Sequence, residues 1–446
     1  MQCALGWHCR GLPEPPQAVI TTQMATITAS TEVQPQVVTK PCRFCGASLV
    51  QTFVDLGMSP LCETYPLASE FGRGEVYYPL HVYVCEQCFL VQLEEYAGRE
   101  HIFSDYPYFS SFSESWLKHA QTYCANMAKR FRLDGESLVV EVASNDGYLL
   151  QYFVQQKIPV LGIEPAANVA QVAIEKGVPT RVHFFGAKFA VELVAEGRRA
   201  DLLLGNNVLA QVPDLNDFVE GLKIALKSEG VLTLEFPHLL QLIRRNEFDT
   251  IYHEHFSYFS MFTTTRILES HGLKVFDVEE LPTHGGSLRV YACHSDATTH
   301  HAQPSVSRII AAEENAGLTS ADGYKQFPRQ VKQTKLAFLK FLISAALDGK
   351  TVVGYGAPGK SATLLHYCGI TRDLIGYTVD RSPHKQGRYL PGTHIPIYHP
   401  DRIRETKPDF VVILPWNLKE EIMEQLRFIR EWGGQFVLPI PTVTVC

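Results

Sequence analysis

From residue 137 onward the chain alternates short β-branched runs with helical stretches, a pattern that restricts it to parallel sheets covered by crossover helices. The first series runs through 137–142, 148–155, 160–164, 169–176, 201–206, 215–226 and 230–236. A second, independent series occupies 351–355, 361–367, 375–378, 410–414, 418–430 and 435–439. Between them, roughly 303–348, lies helix-rich sequence broken at Gly317 and Gly323. At 446 residues and 46% hydrophobic content the chain can build several cores. No run of about 18 apolar residues occurs, so no membrane span is expected. The net charge of −7 argues against a sequence-independent grip on nucleic acid and leaves small anionic ligands open.

The 11 cysteines are odd in number and mostly isolated, unlike a secreted disulfide framework, and the N-terminus lacks the pattern of a secretory signal. A reducing, cytoplasmic setting is expected. Four cysteines differ from the rest: Cys42-Arg-Phe-Cys45 and Cys85-Glu-Gln-Cys88 form two Cys-x-x-Cys pairs. Two residues between ligands let one turn present both sulfurs to the same ion, and zinc takes four thiolates in a closed, structural tetrahedron. Residues 1–38, rich in Thr, Gln and Pro without period, read as a disordered extension. The expected order is then a zinc-binding module over 39–102, a central Rossmann-like domain over 103–302 and a second Rossmann-like α/β domain over 303–446. The aromatic run from Tyr106 and Tyr108 to Phe112 is either packing between modules or a lid carrying phenol hydroxyls.

Ligands of doubly wound sheets bind at the carboxyl ends of the strands. In Val139-Val140-Glu141-Val142-Ala143-Ser144-Asn145-Asp146-Gly147 an acidic residue precedes a tight polar turn, while the Gly-x-Gly-x-x-Gly of a dinucleotide fold is absent. S-adenosylmethionine-dependent methyltransferases have this arrangement, with Glu141, Ala143, Ser144, Asn145 and Gly147 around the amino-acid part of the cofactor. Glu164, followed by Pro165, ends the next strand and is placed to accept ribose hydroxyls. Asn206 and Asn207 end a further strand at the same crevice.

Three runs carry a specific resemblance: Asn206-Asn207-Val208-Leu209-Ala210-Gln211-Val212-Pro213-Asp214, Tyr252-His253-Glu254-His255-Phe256-Ser257-Tyr258 and Thr283-His284-Gly285-Gly286-Ser287-Leu288-Arg289. Together with the four-cysteine module, the Gly356 loop and the run from Asp380 to Gly387, the chain over about 40–445 resembles the sugar-nucleotide C-methyltransferases. These enzymes place a branching methyl on 4-keto deoxysugars, using a central S-adenosylmethionine domain embraced by an N-terminal zinc module and a C-terminal domain. The resemblance implies a nucleoside-diphosphate sugar as substrate and neither nucleic acid nor membrane as partner. It assigns the base to His255, with Tyr252 and Glu254 beside the sugar. Imidazole is neutral often enough near pH 7 to remove a proton next to a ketone, and a phenol can donate to the developing oxyanion. His253 and His255, at i and i+2, share a face only on a strand, which disfavours a metal pair. Tyr106 and Tyr108 match a segment that supplies an active-site tyrosine in relatives. Gln211 stands where the family commonly has histidine; it can bind but cannot act as a base.

In the C-terminal series Tyr355, Gly356 and Lys360 belong to a strand–loop–helix turn whose amides suit a diphosphate. Proline in the loop and the lack of a magnesium aspartate disfavour an ATPase. Lys385 and Arg388 either assist the diphosphate or belong to a solvated loop. His284 and Arg289 are candidate substrate contacts, although Gly285-Gly286 is also what a tight hairpin needs. The rival readings are a nicotinamide-dependent sugar oxidoreductase using the Gly354–Gly359 loop, and a non-catalytic zinc-containing scaffold.

Overall fold

The computed structural model describes residues 40–103 and 109–446. The expected extension over 1–38 and the two tyrosines Tyr106 and Tyr108 lie outside the described residues.

The central sheet has seven strands, in spatial order Thr180–Arg181, Val160–Ile163, Val139–Val142, Ala200–Asn206, Leu226–Pro237, Ser287–His294 and Leu273–Leu281. Its first five are parallel, as the alternation predicts. Val139–Val142 and Val160–Ile163 are buried at every position because helices cover both faces, and only Glu141 interrupts their apolar character. The sequence reading expected only parallel strands, yet the last two pair antiparallel. They form a hairpin, and a short connection can join strands only in that sense. Its turn is the short 3-10 segment Thr283–Gly285, where Gly285 has φ +90 and a Cβ would fall 2.2 Å from Glu247 Oε1.

The C-terminal sheet orders its strands Ile397–Tyr398, Thr378–Val379, Val352–Tyr355, Phe410–Ile413, Gln435–Leu438 and Thr444–Val445. In both α/β sheets the third, second, first, fourth and fifth strands lie side by side. The stretch between them forms the helices Pro304–Asn315 and Phe327–Leu347. Among the described residues no helix is long and apolar enough to cross a membrane.

The N-terminal module contributes Gln51–Ser59, Tyr78–Val84 and Val91–Leu93 to an antiparallel sheet whose fourth strand is Ser257–Tyr258. The module and the C-terminal domain share one apolar core, joined by Leu239, Phe248 and Ile251 of the central chain. Two further cores cover the central sheet, and one includes Cys42, Cys85 and Cys88. The segment from Glu247 to Tyr258 is therefore gripped by all three parts.

Candidate active site

That grip is made of hydrogen bonds as well as apolar contacts. The Trp416 indole donates to Asp249 Oδ2 at 2.7 Å and the Thr363 hydroxyl to the Ile251 carbonyl at 2.6 Å, both from the C-terminal domain. The Phe256 amide donates to Ala210 O at 2.7 Å, while Phe256 O accepts from Leu93 of the N-terminal module at 2.9 Å. Tyr252, Glu254 and His255 are held on this fixed segment and line a cavity of about 630 Å³. His253 turns the other way, its Nε2 donating to Pro79 O at 3.2 Å.

His255 donates Nδ1–H to the Thr250 carbonyl at 2.9 Å, which leaves Nε2 as the nitrogen with the lone pair. Burial lowers its pKa to about 4, assisted by the nearby His284 and Lys360, so the imidazole is neutral at pH 7. The Tyr252 ring lies 4.1 Å from it, centroid to centroid, and burial keeps that phenol protonated. Glu254 Oε1 accepts from the thiol of Cys62 at 3.5 Å. Gln211 and His284 also line the cavity. His284 sits at φ 53 with Nε2 3.3 Å from Asn207 Nδ2, and burial again lowers its pKa to about 4.

On the central-domain side the cavity is lined by Ala143, Asn145, Glu164, Pro165, Asn206 and Asn207. Ala143, Asn145 and Gly147 all take positive φ, producing the tight turn after the first strand. Glu164 Oε2 accepts the Asn145 amide and Oε1 the Ala166 amide, both at 2.9 Å. Each oxygen keeps a second lone pair. Both polar atoms of the Asn206 amide, and Asn207 Oδ1, are buried without a hydrogen bond among the described residues. Such groups call for a polar occupant, and a ligand with ribose hydroxyls and a charged amino-acid tail fits them. Glu141, Ser144 and Gly147 stand behind this wall rather than in it. Glu141 is buried, and burial together with the charge of Glu164 pushes its carboxyl well above the usual range.

On the C-terminal side Tyr355, Gly356 and Lys360 line the cavity. Lys360 Nζ donates to Asn417 Oδ1 at 2.9 Å and lies 4.7 Å over the Trp416 ring. Burial lowers its pKa, against the pull of Asp249 and Glu247. Those two carboxyls are in turn raised by burial, to about 6 and about 7. Lys385 reaches the cavity but is occupied by Tyr65 Oη at 2.8 Å and Ala357 O at 2.9 Å, with Glu63 Oε2 at 3.5 Å. Arg388 donates to Tyr65 O at 3.1 Å and stays outside the lining. Arg289 also lies behind the wall, paired with buried Glu235 at 2.8 Å. Sequence reasoning missed Glu63, Asp380 and Arg381 of the lining, and Cys62 beside Glu254. No motif marks Cys62 and Glu63, and only the fold carries them to the other domains.

The Sγ atoms of Cys42, Cys45, Cys85 and Cys88 lie within 4.8 Å of one another, with Cys42–Cys88 and Cys45–Cys85 at 3.5 Å. A tetrahedron with zinc–sulfur bonds of about 2.3 Å needs sulfurs about 3.8 Å apart, so this set fits structural zinc. The Gln92 amide donates to Cys42 Sγ at 3.1 Å, the kind of outer contact that orients a ligand.

A family model described as a methyltransferase domain matches residues 116–278, and one described as a putative zinc binding domain matches 42–103. With the geometry above, these define an S-adenosylmethionine-dependent methyltransferase carrying a structural zinc module. A third model, the C-methyltransferase C-terminal domain, matches 282–441. The C-methyltransferase NovU of Streptomyces niveus is 35% identical over 400 residues, covering 90% of this chain and 95% of the relative. The chain belongs to this family of C-methyltransferases. Among solved structures, magnesium protoporphyrin IX methyltransferase of Synechocystis PCC 6803 with bound SAM is similar at 16% identity, covering 40% of this chain and 79% of that one, with TM-score 0.31. The 1,6-didemethyltoxoflavin-N1-methyltransferase of Burkholderia thailandensis is also 16% identical, covering 42% and 81%, with TM-score 0.31.

Proposed function

We propose that the methyl acceptor is the carbon next to the ketone of a nucleoside-diphosphate 4-keto-deoxysugar, activated by His255. The observation that carries this reading is the neutral imidazole on the cavity wall, its Nδ1 committed to Thr250 and its pKa near 4. A carbon nucleophile requires removal of a proton alpha to the carbonyl, and Nε2 of His255 is the free basic nitrogen. Tyr252, protonated and with its ring beside that of His255, supplies a donor for the enolate oxygen, and Glu254 accepts a hydroxyl or amine of the sugar. Tyr106 and Tyr108, whose segment precedes the cavity-lining Phe109 and Phe112, are further candidates to close over the sugar.

Glu164, Asn206 and Asn207 hold the cofactor, backed by the turn of Ala143, Asn145 and Gly147 and by Glu141 and Ser144. When bound, S-adenosylmethionine supplies an electrophilic methyl group. The protein's contribution is to hold the acceptor carbon against it with water excluded, so much of the acceleration comes from positioning. The amides that open the helix Gly359–Cys368 take the diphosphate, with Lys360 lending charge. Gln211 and His284 contact the sugar. The domain limits 39–102, 103–302 and 303–446 remain our division. The cytoplasm remains our placement, because the four zinc thiols must stay reduced.

The test is incubation with S-adenosylmethionine and a panel of nucleoside-diphosphate 4-keto-deoxysugars. A product bearing a new carbon-bound methyl by NMR is expected; a methyl on oxygen or nitrogen contradicts the reading.

A further inference from the structure

The cavity wall holds an acid that neither cofactor binding nor enolate formation uses. Glu63 reaches it from the N-terminal module, with its side chain 16% exposed. Its Oε2 is buried and makes no hydrogen bond among the described residues. Lys385 Nζ lies 3.5 Å away and balances the charge, while its hydrogen bonds go to Tyr65 Oη and Ala357 O. A carboxylate held this way, with acceptor capacity to spare, calls for a donor from the ligand.

Two neighbours fix where along the ligand that acid stands. Gly359 opens the helix Gly359–Cys368, and a Cβ there would fall 3.0 Å from Glu63 Oε1 and 3.0 Å from Cys62 Sγ. Glu63 therefore borders the helix end that takes the diphosphate. On its other side Cys62, the preceding residue, donates its thiol to Glu254 Oε1 at 3.5 Å. Burial and the charges of Glu254 and Glu63 push that thiol well above its ordinary range, so it stays protonated and keeps the donor role. Glu254 adjoins His255, the residue at the ketone end of the sugar. Glu63 thus stands between the two ends of the sugar, beside the diphosphate.

In a nucleoside-diphosphate 4-keto-hexose the diphosphate is on the anomeric carbon and the ketone lies across the ring. The anomeric carbon has two ring neighbours: the ring oxygen, which has no proton to donate, and carbon 2. A sugar can satisfy a carboxylate at that end only through a hydroxyl on carbon 2. We infer that Glu63 accepts the 2-hydroxyl of the sugar and so selects 4-keto-deoxysugars that retain this hydroxyl over their 2-deoxy counterparts. Lys385 is the counter-ion that lets an acid stand beside the diphosphate. This inference rests on the reading of the substrate as a nucleoside-diphosphate 4-keto-deoxysugar.

The experiment is calorimetric titration of the full chain, saturated with S-adenosylhomocysteine so that no methyl is transferred. ADP, GDP, CDP, UDP and dTDP are titrated first, then the 4-keto-6-deoxyglucose and 4-keto-2,6-dideoxyglucose conjugates of whichever binds most tightly. Because the lost hydrogen bond is to a charged group, the native protein is expected to bind the 2-hydroxy conjugate about tenfold or more tighter than the 2-deoxy one. Glu63→Gln should lose most of that preference through weaker binding of the 2-hydroxy conjugate, and should bind S-adenosylhomocysteine as before. Equal affinity of the native protein for the two conjugates overturns the inference without any variant, and leaves the nucleotide-sugar reading standing. Full preference retained by Glu63→Gln overturns it as well. If S-adenosylhomocysteine binds but no diphosphate or conjugate does, the nucleotide-sugar reading itself fails and the inference falls with it.

Discussion

His255 Nδ1 lies 2.9 Å from the carbonyl oxygen of Thr250, and this one contact decides which imidazole nitrogen is available for chemistry. Both residues belong to the segment anchored by the N-terminal module and the C-terminal domain, so the position of this imidazole depends on parts of the chain far from it in sequence.

The acid limb of the rate profile follows from the electrostatics. With its pKa lowered to about 4, His255 stays deprotonated well below 6.5. The limb of kcat/KM assigned to this residue should therefore lie near pH 4, and a rate profile measured between pH 4 and 8 checks it. Stability has a matching sign: a depressed imidazole contributes stability that is present above about 6.5 and lost as pH falls through about 4.

Glu247 works in the opposite direction. Burial and the charge of Asp249 raise it to about 7, so its stabilising contribution is present below the ordinary carboxyl range and lost as pH rises through 7. Glu247→Gln should gain stability relative to the native protein between pH 5 and 8, as read from urea midpoints at each pH. A constant difference across that range would contradict the assignment.

Glu164→Gln removes the charge proposed to accept the cofactor's ribose hydroxyls. S-adenosylhomocysteine affinity should fall about tenfold to a hundredfold, with diphosphate affinity unchanged, by calorimetry.

Arg289 and Glu235 form a buried pair, 4% and 0% exposed, that also engages His119. Arg289→Met leaves the buried carboxylate with only His119 and Thr283 as side-chain partners and should cost about 3 kcal/mol in chemical denaturation, while Arg289→Met with Glu235→Gln should recover much of that loss.

Zinc removal should act at a distance. Cys62 and Glu63 follow the strand Gln51–Ser59 of the zinc module; Glu63 lines the cavity and the Cys62 thiol donates to Glu254 of its wall. Stripping the metal with a chelator, or Cys85→Ser, is expected to lower the melting temperature by about 10 °C or more and abolish turnover. Restored melting on zinc addition checks that the loss is the metal's.

Much of this architecture is legible in the sequence because its signals are local. The two Cys-x-x-Cys pairs mark the cluster, and the apolar runs mark the buried parallel strands. Glu164 is legible by its place at a strand end. The terminal hairpin was not, since alternation of strands and helices carries no sign of strands appended in the opposite sense. By sequence Lys385 and Arg388 either assist a diphosphate or belong to a solvated loop and Arg289 is a candidate substrate contact, because sequence does not reveal prior partners. The fold gives them Tyr65, Ala357 and Glu235.

The most direct test of the central claim is solvent-deuterium exchange at the carbon next to the ketone of a bound nucleoside-diphosphate 4-keto-deoxysugar. It is followed by NMR with S-adenosylhomocysteine in place of the methyl donor. The native protein should catalyse exchange, and His255→Asn should slow it by about a hundredfold or more while binding S-adenosylhomocysteine normally. Undiminished exchange in His255→Asn would contradict the assignment of His255 as the base.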